Sequence, residues 1–176
     1  MNYKYVGKVD VSDIKSKLDS IEPSLWKKDD VRQKNFKEHI HTETLMLMWD
    51  YDSLFTTSPS KKHELFYEFN IEGLYSKLEP LYKEAFGDGY FVRCILVKLI
   101  PYGEIYPHSD EGMGLLTCHR THIAIQTNPL VNFNVNGEVK HLEEGEIWEI
   151  DNTQMHEVVN DSDYDRIHFI IDWMTK

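Results

Sequence analysis

The chain has only two cysteines in 176 residues, Cys94 and Cys118, and neither belongs to a Cys-x-x-Cys pair. Two are too few for a disulfide framework, which points to a reducing compartment. Long apolar runs are also missing. No stretch approaches the ~18 residues that a membrane span needs, and the opening Met1-Asn2-Tyr3-Lys4-Tyr5-Val6 lacks the apolar core of a signal peptide. The expectation is a cytoplasmic protein with no membrane partner. Positive charge is scarce: 19 Lys and Arg stand against 30 Asp and Glu, for a net charge of −11, and there is no long basic run. Such a surface repels phosphate backbones, which argues against a general nucleic-acid binder. Internal repeats and low-complexity linkers are absent as well. What remains is an ordinary globular composition, 41% hydrophobic, in a chain long enough to bury a core without staples. One domain, 1–176, is the natural reading.

The texture changes near residue 90. Val11 to Ile21 reads as a short amphipathic helix with Ser12 as its N-cap. Leu74, Leu78, Leu81, Tyr82, Ala85 and Phe86 recur at helical spacing over Ile71 to Phe86, with Gly87 to stop the helix and Pro80 to kink or split it. Thr42 to Trp49 suits a strand. From Tyr90 onward short strand patterns follow one another: Arg93 to Ile100, Thr121 to Thr127, Val131 to Asn136, Gly145 to Ile150, Met155 to Asn160 and Arg166 to Met174. Asn136-Gly137 is a strong hairpin-turn signal. The expected class is α+β, with residues 1–89 as a helical or mixed support and possible substrate lid, and 90–176 as the β core.

The chemistry lies between His108 and Arg166. Alternation along a strand lets His108 and Asp110 share a face. A third ligand, His156, can come from a distant strand across a jelly-roll interior. Two imidazoles and one carboxylate form the facial triad that suits iron(II) and leaves sites open, although zinc, manganese or nickel would also bind. The same alternation groups Arg120 with His122 and Arg166 with His168. An arginine fork aimed into a metal pocket suits an acid co-substrate.

These residues carry a family resemblance. Pro107-His108, Arg120-Thr121-His122, Gly145-Glu146-Ile147-Trp148-Glu149-Ile150-Asp151-Asn152, His156-Glu157-Val158, and Arg166 with Ile170-Ile171-Asp172 together resemble the aspartyl/asparaginyl β-hydroxylase family of 2-oxoglutarate-dependent oxygenases. The resemblance implies a double-stranded β-helix, a cupin-like jelly roll, with the N-terminal helices packed against one sheet. It implies Fe(II) on His108 and His156, O2 as oxidant, and 2-oxoglutarate held by Arg166, Arg120 and His122, with Lys98 as a further contact. Vertebrate-type members have glycine two residues after the first histidine. Asp110 stands there instead, so this chain looks more like the bacterial branch and the free-proline hydroxylases, which keep the full triad. The implied activity is hydroxylation of a C–H bond in an amino acid or an amino-acid residue of a peptide or protein.

Other readings stay open at this level. Arg166 could pair with Asp163 or Asp165 on a surface. His39 and His41 read as surface or loop residues, and His63 and His141 as solvated. Arg32, in a polar segment from Val31 to Thr44, is a candidate for a substrate carboxylate. The loop Glu111 to Cys118 is a candidate border of the substrate site. The rivals to the hydroxylase are an oxygenase acting on another small molecule or a lipid acyl chain, a non-catalytic cupin-like metal- or ligand-binding module, and a plain β-sandwich interaction protein.

Overall fold

The computed structural model describes residues 1–50, 52 and 55–176. Ten strands build two antiparallel sheets. The larger contains β1 (Tyr3–Lys8), β2 (Thr42–Met48), β3 (Gly89–Leu99), β5 (His119–Gln126), β8 (Glu146–Ile150) and β10 (Arg166–Thr175), in the order β1-β8-β5-β10-β3-β2. The smaller contains β4 (Glu104–His108), β6 (Val131–Val135), β7 (Glu138–Lys140) and β9 (His156–Asn160), in the order β4-β9-β6-β7. Five α-helices accompany them: α1 (Ser12–Asp19), α2 (Val31–Asn35), α3 (Glu64–Glu68), α4 (Ile71–Phe86) and α5 (Met113–Leu116). This is the expected α+β jelly roll, with helices on one sheet. None of the described helices is long and apolar enough to cross a membrane.

The larger sheet is buried on both faces, and strand parity separates the two. On β10, Ile167, Phe169, Ile171 and Trp173 point outward into a core completed by Ile71, Leu74, Leu78 and Tyr82 of α4. Those four helical positions fall at intervals of three and four, which lines up one face of the helix. The alternate β10 residues, Arg166, His168 and Asp172, are buried on the opposite face. There the two sheets meet through Tyr3, Leu99, Ala124 and Ile150 from one side and Phe133 and Val158 from the other.

Several local expectations need correction. Residue 90 is not a boundary of the fold, because β1 pairs with β8 and β2 with β3 inside the larger sheet. Ser12 is the first residue of α1 rather than its cap. Its backbone N–H donates to the Asp10 carboxylate at 2.9 Å, so Asp10 supplies the capping oxygen. Pro80 does not split α4, which runs unbroken to Gly87 with φ +89°. The proline lies on the exposed side, where water can satisfy the carbonyl it leaves without a partner. Asn136 and Gly137 both take positive φ, 50° and 84°, and close a two-residue hairpin between β6 and β7.

Candidate active site

His108 ends β4 and His156 begins β9, and the two are cross-strand partners. Register therefore places one imidazole beside the other, with ring centroids 4.2 Å apart. Asp110 follows β4 by two residues, and its backbone N–H donates to the Asn152 carbonyl at 2.9 Å. One ligand atom from each of the three lies within 4.8 Å of the others. Asp110 Oδ1 is 3.8 Å from His108 Nε2 and 4.0 Å from His156 Nε2.

Backbone carbonyls fix the tautomers. His108 Nδ1 is 2.8 Å from the Tyr106 carbonyl, and His156 Nδ1 is 3.0 Å from that of Gln154. A carbonyl only accepts, so each Nδ1 carries the proton and each Nε2 keeps a free lone pair toward Asp110. This is the arrangement by which histidines are oriented toward metals. Burial raises the Asp110 carboxyl, but Arg120, the two imidazoles and the Asn152 amide together hold it well below the usual carboxylate range. Burial lowers His156, against the pull of Asp110. The donor set fits a divalent cation with open positions.

Deeper between the sheets is a cation without a counter-charge. Arg166 is 1% exposed, and none of its contacts among the described residues is a carboxylate. Desolvation pushes it down to about 9, the Tyr3 hydroxyl pulling the other way. Its Nη2 donates to His168 Nδ1 at 2.6 Å. An imidazole nitrogen that accepts from arginine has no proton, so the proton of neutral His168 sits on Nε2. Arg166 Nε and His168 Nε2 are then two buried donors with no acceptor, and His122 Nδ1 is likewise unpartnered. Buried donors are seldom left unmade, and this cluster matches an anionic ligand. Phe133 joins the two regions: the Arg166 guanidinium lies 5.7 Å from its ring, and the His156 ring is 6.4 Å away.

Two residues assigned to the co-substrate from the sequence are engaged elsewhere. Lys98 shares the outer face of β3 with Cys94 and Leu96, away from the cavity. It pairs with Glu43 at 2.5 Å and lies over the Trp26 ring. Replacing Lys98 with methionine is expected to leave the 2-oxoglutarate KM within about twofold of wild type; steady-state kinetics would check this. Arg120 spends three donors on carboxylates. Nη1 meets Asp110 at 2.7 Å, while Nε and Nη2 meet Asp172 at 2.9 and 2.8 Å. Its donors brace Asp110 and Asp172.

Arg32 donates from Nη2 to His39 Nε2 at 3.0 Å. His39 is 8% exposed, and its ring stands edge-on to His108 with centroids 4.9 Å apart. The expectation that His39 is a surface residue is therefore wrong. The 3-10 turn Lys37–His39 packs it against β4. Asn152 and Asp172 belonged to the matching motifs without a stated role, and the structure places both beside Asp110 or its partner.

A jelly roll that presents two histidines and an aspartate beside a buried arginine defines the class of 2-oxoglutarate-dependent, iron-using oxygenases. The profile of the aspartyl/asparaginyl β-hydroxylase family matches residues 78–176, more than half of the chain, and the chain belongs to that family. No curated protein matches it by sequence. Among solved structures it is similar to an oxidoreductase of the 2-oxoglutarate–Fe(II) oxygenase family from Burkholderia pseudomallei. That similarity has a TM-score of 0.66 at 14% identity, over 93% of this chain and 77% of the other. It is also similar to the collagen prolyl hydroxylase of Paramecium bursaria Chlorella virus-1, with a TM-score of 0.57 at 10% identity over 100% and 97%. A Pseudomonas putida prolyl-4-hydroxylase gives a TM-score of 0.53 at 10% identity over 99% and 93%. At these identities the likenesses speak to the fold.

Proposed function

We propose that the protein is an Fe(II)- and 2-oxoglutarate-dependent dioxygenase that hydroxylates a C–H bond of an amino acid or an amino-acid residue. The observation that carries this reading is the pairing, between the two sheets, of a three-residue candidate metal set with a buried arginine that meets no carboxylate among the described residues. His108, Asp110 and His156 would hold the metal. Arg166 would take the distal carboxylate of 2-oxoglutarate through Nε, with His168 Nε2 beside it, and His122 would meet the co-substrate between Arg166 and the metal. When bound, iron(II), 2-oxoglutarate and O2 supply the oxidising power, at the cost of converting the oxo acid to succinate and carbon dioxide. The protein's share is to hold these groups in register and to keep water out.

On the substrate side, Arg32 acts through His39. Because Arg32 donates to Nε2, the Nδ1 of neutral His39 carries the proton, and that buried atom has no acceptor. A substrate carbonyl or carboxylate oxygen is its natural partner. Both cysteines are buried and free, in keeping with a cytoplasmic setting.

Anaerobic addition of Fe(II) and 2-oxoglutarate tests the core of this reading. The expected result is a weak visible charge-transfer band, absent from His108→Ala. Iron binding without the band would favour a non-catalytic cupin-like module. Succinate release, screened over free amino acids and short peptides, then identifies the substrate class.

A further inference from the structure

A buried chain of alternating charge runs behind the metal site. Asp110 Oδ2 meets Arg120 Nη1, and the same guanidinium meets both oxygens of Asp172. Asp172 Oδ2 then accepts from Arg93 Nε at 2.7 Å. Arg93 Nη2 donates onward to the Gly114 carbonyl and lies 3.5 Å from Cys118 Sγ. Gly114 belongs to α5, four residues after Asp110, so the chain of contacts closes on itself. A second tie spans the same gap: Asn152 Nδ2 donates to Asp110 Oδ2 at 3.0 Å and to the Leu115 carbonyl at 3.2 Å. Arg93 and Asp172 are each 1% exposed.

Two geometric consequences follow. Asp110 Oδ2 already accepts two bonds, so Oδ1, the atom toward His108 and His156, is left to bind a metal through one oxygen. The carbonyls of Gly114 and Leu115 are both gripped by side chains whose other bonds end at Asp110 or its support. α5 itself is short, four residues after Gly112 with φ +103°; it buries Gly114 and Leu115 and leaves Met113 and Leu116 exposed.

We propose that α5 and the Asp110 carboxylate are one mechanical unit, coupled by Arg93, Asp172, Arg120 and Asn152, so that the metal carboxylate is held in place only when α5 is seated. Arg93 and Asp172 are thus positioning residues for the metal, although neither touches it. The proposal rests on His108, Asp110 and His156 being a metal site. Seating of α5 and retention of the metal therefore rise and fall together.

Mn(II) tests this without oxygen or turnover. In the wild type, Mn(II) should slow amide hydrogen exchange across residues 113–118. Asp172→Asn should weaken Mn(II) affinity by about tenfold or more and abolish that protection. In an Asp110→Ala background, adding Asp172→Asn should change the residual affinity by less than about twofold, since the path through Asp110 is already cut. Asp172→Asn leaves two buried arginines sharing less charge and could compromise folding. Arg93→Gln keeps the Asp172–Arg120 pair while removing the Arg93 ties to Asp172 and to the Gly114 carbonyl; it too should lose the protection. Wild-type exchange at 113–118 that ignores bound Mn(II), protection that survives Arg93→Gln, or an equal effect of Asp172→Asn in both backgrounds would overturn the coupling alone. Failure of the wild type to bind Mn(II) would overturn the metal site with it.

Discussion

Arg166→Met will weaken 2-oxoglutarate binding by about tenfold or more and raise the melting temperature in the same step. The guanidinium is 1% exposed and meets no carboxylate among the described residues. Holding an unpaired charge there costs stability, and replacing buried ionic groups with apolar residues of similar volume commonly gains about 1–4 kcal/mol. For a chain of this size each kcal/mol is worth about 2–4 °C in Tm. Methionine keeps the length of the side chain and the packing against Phe133. On the binding side, the charge-assisted hydrogen bond from Nε, worth about 1.5–3 kcal/mol, is lost, which corresponds to about tenfold to a hundredfold in affinity. Calorimetric melting and 2-oxoglutarate titration of one purified variant give both numbers. A variant that melts lower, or binds the oxo acid as the wild type does, would remove Arg166 from the co-substrate site.

Asp110→Gly is the second test, and its interest lies in the family. Vertebrate-type members carry glycine at this place, so the carboxylate looks dispensable. Here it is not, because Asp110 is also a counter-charge. Deleting it leaves Arg120 at 11% exposure with Asp172 as its remaining ion-pair partner, which Arg93 already shares. Breaking a buried pair from one side costs about 3–5 kcal/mol. Metal affinity should fall by more than about 100-fold, the upper end for disturbing only the groups behind a ligand. Adding Arg120→Gln should restore much of the stability and none of the metal affinity. Recovery of metal binding in the double variant would show that the aspartate serves charge balance alone.

The sequence carried the centre of the site further than its surroundings. The structure does bring His108, Asp110 and His156 together, although Asp110 lies beyond the end of β4 and is set by its hydrogen bonds to Asn152 and Arg120 rather than by strand alternation. Lys98 was misread because its face depends on which residue of β10 it opposes. Ile167 is that residue, and it faces the helices. Arg120 was placed on the right face with the wrong partner, since nothing in a linear pattern reveals that Asp172 lies across the ladder from it. His39 had no signal at all. Its place beside His108 comes from a 3-10 turn packing on β4, a tertiary event that local pattern does not encode.

The double burial of the larger sheet restricts how β10 can change. Its even-numbered side chains include the cavity's arginine and its key aspartate, and its odd-numbered ones are the wall against the helices. Inserting or deleting one residue near its start would exchange these sets, driving Arg166 into hydrocarbon and Phe169 toward the face between the sheets. Neither face could absorb the error. Drift in β10 is therefore confined to in-place substitution, whereas residues 31–41, which bear Arg32 and His39, precede β2 and lie outside the family match, can be remodelled in length. On the proposed function, a change of substrate range would have its room in that segment.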